Sequence, residues 1–363
     1  LLTGFRAGTD TAIGVASDDF TGTRRAWKLP DGTAPIGRVF PNGASITTAH
    51  TPTQVVEKAA NACAPVLAAG MWPYFSLKPD VAATLAGQLD AHLTALGKWA
   101  AGVGAPVYFT VWHEPENDAM GAPSSNYLLR AQNFVKVHTR AYQVVKTAAG
   151  DAVRMGPCHL VYKWAPGSPE TATDPNVAAA WKVPADARDF IAGDSYTSNW
   201  SWTSSGTGLR TKTDFQRWLK LLVCDDLHQV IVAERGVSST RAGSTPSPEQ
   251  VQADILRDDA AYLQELGAYA LLYWNSGGAT DNSSYLLGAP GRAAFLDIAV
   301  AAATPPAPAP AVDRYQEGYD AGYVSGKADG VLAGRVEGVA FGRLEGRAEA
   351  LHDMGEWISA QGG

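Results

Sequence analysis

The chain has 363 residues, 46% of them hydrophobic, with a formal net charge of −7 and three cysteines. That length suits one large domain plus an appendage, the acidic balance offers no basic surface for nucleic acid, and no apolar stretch reaches the roughly 20 residues of a membrane-spanning helix. Cys63, Cys158 and Cys224 sit in apolar patterns without CxxC spacing, so buried free thiols are expected, with no metal site, no disulfide framework and no cofactor.

The first residues show no signal-peptide pattern. Eight short β-rich apolar runs then follow, at 13–17, 36–40, 73–78, 107–114, 154–160, 190–197, 230–234 and 270–275. They are continuous rather than alternating, as parallel strands covered on both faces are. Amphipathic helix patterns separate most of them, at 52–69, 81–101 and 127–148. A fourth opens at Ser247-Pro248-Glu249-Gln250, with Ser247 as N-cap, and runs to about Leu266 before Gly267. No clear helix pattern separates the first two runs. Eight β/α units in residues 1–303 predict an α/β fold, a (β/α)8 TIM barrel. A doubly wound open sheet is the alternative, but no glycine-rich phosphate loop follows an early strand.

Two runs end in glutamate. One is Val107-Tyr108-Phe109-Thr110-Val111-Trp112-His113-Glu114-Pro115-Glu116-Asn117; the other is Val230-Ile231-Val232-Ala233-Glu234-Arg235-Gly236. A carboxylate at the C-terminal end of a buried strand is expensive to place. On the barrel count Glu114 ends strand 4 and Glu234 ends strand 7, both at the mouth where barrel active sites lie. Paired carboxylates of this kind serve glycoside hydrolysis. Glu114 is the candidate acid/base, with Glu116 its competitor, and Glu234 the candidate nucleophile. His113 either touches substrate or positions a carboxylate, and His159 is a further candidate contact. Tyr196 is placed to donate to Glu234, whereas Asp194 reads equally as a cap or a structural acceptor. Trp274 ends the eighth run, where its face suits a sugar ring. Trp164, Trp181, Trp200 and Trp202 crowd the stretches after runs five and six; Trp200 and Trp202 are further candidates for substrate contact. Phosphate-loop, HExxH and GxSxG motifs are absent.

With acid/base after strand 4 and nucleophile after strand 7, the pattern resembles the large clan of retaining (β/α)8 glycosidases. His113-Glu114 in place of Asn-Glu, and Asp194-Ser195-Tyr196 in the sixth run, resemble glycoside hydrolase family 26, the β-mannanases. The resemblance spans residues 13–300. Thr110 stands where that family usually has arginine, Asn117-Asp118-Ala119-Met120-Gly121 replaces its aromatic cluster, and Arg235 replaces an aromatic. The resemblance implies a retaining endo-β-glycosidase acting on a polysaccharide such as mannan. A non-catalytic carbohydrate-binding or receptor-recognition module, or a structural component, are the competing readings.

Composition shifts at Thr304-Pro305-Pro306-Ala307-Pro308-Ala309-Pro310, which marks residues 304–312 as an extended linker. Beyond it, residues 313–363 carry Gly318, Gly322, Gly326, Gly330, Gly334, Gly338, Gly342 and Gly346, one every fourth residue. Period four is close to the helical 3.6, so a helical tail with a slowly winding glycine stripe is expected. Glycine costs about 1 kcal/mol against alanine in a helix. The tail is therefore expected to pair with a copy of itself or with another protein. The whole-chain organisation resembles minor tail proteins of phages infecting actinobacteria, which implies an extracellular or virion location.

Overall fold

The computed structural model describes residues 12–16, 36–41, 43–123, 125–165, 175–197, 208–222, 229–238, 247–274 and 285–303. The linker and the glycine tail lie outside the described residues, as do Trp200, Trp202 and Cys224.

Among the described residues there are ten strands: β1 (Ala12–Ala16), β2 (Ile36–Val39), β3 (Ser45–Ile46), β4 (Trp72–Pro79), β5 (Val107–Val111), β6 (Val153–Met155), β7 (Cys158–Leu160), β8 (Ile191–Thr197), β9 (Val230–Val237) and β10 (Ala270–Trp274). All pairings are parallel, in the order β6-β5-β4-β2-β1-β10-β9-β8-β7, with β3 added beside β4. The fifth predicted run is thus two strands. β6 bonds to β5, the segment breaks at Gly156-Pro157, and β7 bonds to β8. The break is steric: a Cβ on Gly156 would stand 2.2 Å from the Phe190 carbonyl oxygen. Segment 153–160 therefore meets both ends of the strand order. A further bridge joins His113 to Cys158.

Eight helices are described: α1 (Pro52–Ala68), α2 (Val81–Leu85), α3 (Asp90–Gly102), α4 (Tyr127–Ala149), α5 (Pro175–Ala180), α6 (Thr213–Leu222), α7 (Pro248–Glu265) and α8 (Ala289–Ala303). α1 starts in a capping box, Thr51 Oγ1 accepting from Gln54 N at 3.3 Å and Gln54 Oε1 from Thr51 N at 2.8 Å. Its Val55, Ala59, Cys63 and Val66 form the buried stripe. Ser247 caps α7 as its sequence predicts. The single helix expected over 81–101 is two, because Gly87 turns the chain at φ +76°. Among the described residues no helix is long and apolar enough to cross a membrane.

β4, β5 and β9 are buried on both faces. Phe75, Leu77, Phe109, Val111 and Val232 pack in the same cluster as helix residues such as Leu93, Val137 and Phe134. Alternate residues point the other way and meet one another. The Tyr74 and Tyr108 rings lie 5.6 and 5.9 Å from Phe190, and the Tyr108 and Tyr269 hydroxyls are 2.6 Å apart. Thr110 is in this layer, bonding the Tyr74 hydroxyl and the Gly156 carbonyl at 2.8 Å each.

Candidate active site

The predicted strand over 107–114 stops at Val111. Trp112 and Glu114 take left-handed backbone conformations, φ +59° and +51°. Such conformations cost non-glycine residues about 1–3 kcal/mol and persist only where surroundings impose them. Here Trp112 Nε1 donates to the Pro79 carbonyl at 2.9 Å, and Glu114 N donates to the Cys158 carbonyl at 3.0 Å. The chain then enters a short turn, Pro115–Asn117, and Asn117 Nδ2 donates to Glu114 Oε2 at 3.1 Å.

That turn separates the two candidate acids. Glu116 is buried, accepting from His159 Nδ1 at 2.5 Å, Leu160 N at 3.2 Å and Trp164 Nε1 at 3.2 Å. It ties the turn to the segment after β7, and Glu114 alone of the two is left at the cleft. His159 is corrected with it. Only 1% exposed and edge-on to Trp164 and Trp181, it supports the turn instead of reaching substrate. Trp164 and Trp181 are likewise fully buried packing.

Glu234 owes its position to a bulge. Gly193 pairs with Val232, yet Asp194 pairs with Glu234, so β9 holds one residue more than β8 there. Ala233 packs with the inner cluster and Glu234 follows it to the same side. Arg235 then turns outward, where its Nε meets Asp259 Oδ2 of α7 at 2.6 Å with both side chains fully buried. Arg235 is therefore no partner of Glu234. A Cβ on Gly236 would come within 2.7 Å of the Tyr196 ring, so only glycine lets Tyr196 stand beside β9.

Around Glu234 the groups converge. Tyr196 donates to Glu234 Oε2. Arg38 Nε lies 2.9 Å from Glu234 Oε1 as an ion pair, its guanidinium stacked 4.4 Å above the Tyr74 ring. His113 Nε2 bonds to the Asp194 carboxylate and stands 3.5 Å from Glu234 Oε1 and 3.9 Å from Glu114 Oε1. Asp194 also accepts from the Cys158 thiol, 3.3 Å to each oxygen, and lies 3.8 Å from Arg38.

The charges follow from these contacts. Burial opposes a charge on Asp194, but Arg38 and His113 outweigh it and hold its pKa below the ordinary value. Burial would strip the His113 proton, but Asp194 holds it there and raises the pKa. Burial lifts Glu114 to about 7, with Asp194 and Glu234 adding to the rise and His113 opposing it. Burial, then Asp194, also raises Glu234, restrained by Arg38, His113 and the Tyr196 hydrogen bond. One carboxyl thus keeps a proton near neutrality, while the other is faced by two cations and a phenol.

Trp274, at the end of β10, meets Tyr196 edge-on at 5.2 Å and Tyr285 at 5.3 Å, beside the nucleophile candidate. Two neighbours, Arg38 and Phe40, escaped the sequence reading, and Asp194 was read only as a cap or a structural acceptor. Arg38 is a charge inside an apolar run, the same signal that marked the glutamates. Asp194 is a buried ion in the middle of β8. Phe40 follows β2, 47% exposed, with its ring 5.0 Å from His113.

No protein-family model matches the chain, and no curated protein does. Solved structures resemble it in fold. A Bacteroidetes-affiliated family 5 cellulase, linked with a polysaccharide utilisation locus, is 12% identical with TM-score 0.53, over 84% of this chain and 94% of that one. A family 5 broad-specificity endoglucanase from an uncultured bacterium is 16% identical with TM-score 0.52, over 79% and 85%. A family 5 enzyme from Prevotella bryantii B14 is 13% identical with TM-score 0.52, over 82% and 96%. The parallel α/β fold is thus similar to that of family 5 (β/α)8 glycoside hydrolases.

Proposed function

We propose that this chain is a retaining endo-β-glycosidase on a closed (β/α)8 barrel, in which segment 153–160 supplies the joining strand. The observation that carries the reading is the meeting of two buried-strand glutamates at one imidazole. The legs from His113 Nε2 to Glu114 Oε1 and Glu234 Oε1 are 3.9 and 3.5 Å. Laid end to end, they exclude the upper part of the 6.5–9.5 Å range of inverting pairs and leave room for the roughly 5–5.5 Å of retaining ones.

The chemistry has two displacements. The Glu234 carboxylate attacks the anomeric carbon while Glu114 protonates the departing glycosidic oxygen. Glu114, now ionised, takes a proton from water as that water attacks the same carbon and frees Glu234. Tyr196, Arg38 and His113 favour the ionised form of Glu234 against burial and Asp194, which raise its pKa. Trp274 supplies an apolar face beside it.

A β-linked polysaccharide is the proposed substrate. A structurally similar xyloglucan-specific endo-β-1,4-glucanase, 12% identical with TM-score 0.50 over 82% of this chain and 98% of that one, was solved with cellotriose. The His113-Glu114 pair favours mannan within that class. A role on a phage tail, acting on a host-surface glycan, is part of the same proposal and rests on chain organisation.

The test is hydrolysis of a β-glycan panel. Glu234→Ala is expected to abolish turnover, and Glu114→Ala to retain slow turnover only on substrates with activated leaving groups, which need no protonation. Retained anomeric configuration by NMR completes it. Binding without cleavage by the native protein would overturn catalysis and leave a carbohydrate-recognition module.

A further inference from the structure

The floor of this cleft holds a set of atoms that double displacement does not use together. We propose that His113 Nε2, Cys158 Sγ and the Asp194 carboxylate form a site for a thiophilic divalent cation such as Zn2+, and that its binding shuts the active site. The binding stands on geometry alone; the inhibition rests on the glycosidase reading.

The three ligand atoms lie within 4.8 Å of one another. Tetrahedral Zn2+, with bonds of about 2.0–2.3 Å, sets its ligand atoms roughly 3.3–3.6 Å apart. Cys158 Sγ and the Asp194 oxygens already stand 3.3 Å apart. The imidazole has only to swing away from Asp194 to open the third position, and it is the partly exposed member, at the cleft. Three strand segments supply the ligands: the end of β5, β7 and β8. No local spacing in the sequence could reveal the set.

Cys158 Sγ and His113 Nε2 both lie against the Asp194 carboxylate, so an ion seated among these atoms takes the place of the hydrogen bonds they make to it. Arg38 is the opposing cation, 3.5 Å from Cys158 Sγ. Its N–H already aims at the sulfur, so it becomes a donor to the metal-bound thiolate. Glu234 Oε1, 3.5 Å from His113 Nε2, is within reach of the fourth position. An ion so held takes His113 from both glutamates and blocks the attack of Glu234. A thiolate-containing set selects Zn2+ or Cd2+ over Mg2+ or Ca2+.

Cd2+ titration of the full chain tests this, because thiolate-to-cadmium charge transfer absorbs in the ultraviolet whether or not the protein is an enzyme. The Cys63→Ala/Cys224→Ala double variant leaves Cys158 as the sole thiol and does not touch the site. It is expected to show the band, saturating at one equivalent, reversed by Zn2+ and unaffected by Mg2+. Cys158→Ser is expected to lose it. No band in the double variant, or a band surviving in Cys158→Ser, overturns the site. If Cys158→Ser does not fold, the double variant decides alone. Where the native protein hydrolyses a glycan, one equivalent of Zn2+ is expected to stop hydrolysis and EDTA to restore it; hydrolysis continuing at saturation refutes the inhibition. A band with no hydrolysis in any condition refutes the glycosidase reading and leaves the metal site standing.

Discussion

Glu114 carries a raised pKa, and its sign fixes what pH does to this protein. Its pKa rises from 4.5 to about 7 because burial and two neighbouring carboxylates oppose its charge. The folded protein therefore holds that proton more tightly than the unfolded chain does. Stability is unaffected below the unfolded value, and ionisation becomes a cost as pH rises from there through about 7. At 1.36 kcal/mol per unit the cost is about 3 kcal/mol above pH 8. Glu114→Gln is expected to stabilise the protein by that amount at pH 8 and by nothing at pH 4, read from urea unfolding at both. Under the proposed mechanism the same proton sets the alkaline limb of kcat/KM, which is expected to fall above pH 7, and the acid limb follows Glu234, whose pKa is raised by burial and Asp194. At this scale the sequence was informative where a charge ends an apolar run, as at Glu114, Glu234 and, unread, Arg38. It named Glu116 as a competitor and His159 as a contact but could not pair the two, because a left-handed turn at Glu114 decides which carboxyl reaches the cleft. That turn is imposed by contacts with Pro79 and Cys158, far along the chain.

Among the elements, helices were the more legible. Periodicity marked α1 and α4, and periodicity with the Ser247 cap marked α7, to within a residue or two, because amphipathic stripes and caps are local. Breaks were less legible. Gly87 splits one expected helix and Gly156-Pro157 one expected strand, and the second is set by Phe190, which approaches from another segment. The β9 bulge is similarly invisible, since it exists only in the register of β9 against its neighbours. It carries a cost that can be measured. By sending Arg235 outward into a fully buried setting, it demands a counter-charge, and Asp259 of α7 supplies it while also accepting from Leu209 N at 2.5 Å. Removing Asp259 takes the counter-charge from Arg235, which keeps its hydrogen bonds to Ser195 O, Thr197 Oγ1 and Gly236 O; breaking such a buried pair costs about 3–5 kcal/mol. Asp259→Ala is expected to lose that much in equilibrium unfolding. A loss below about 1 kcal/mol would mean that water reaches Arg235 and that α7 does not clamp the bulge.

For the whole molecule, the parallel α/β arrangement was legible, since continuous apolar runs separated by helices admit few topologies. The double role of segment 153–160, which pairs with β5 through β6 and with β8 through β7, was not, because it depends on one segment serving two neighbours. The glycine tail is the part in which local physics and assembly meet. Eight glycines at period four penalise an isolated helix, while residues such as Arg335, Glu337, Arg343 and Glu345 between them favour helix and oppose burial in a core. A partner helix seated along the stripe would offset the penalty, because glycine allows close backbone approach. Sedimentation of the full chain against a chain ending at Ala303 tests this. The shorter protein is expected to keep its activity and to sediment as a monomer, whereas the full chain self-associates or gains a partner. The isolated tail is expected to show weak helical circular dichroism that grows with concentration or with that partner. Identical sedimentation of both chains, and a tail spectrum that never gains helix, would reduce the repeat to a spacer and remove the argument for assembly through it.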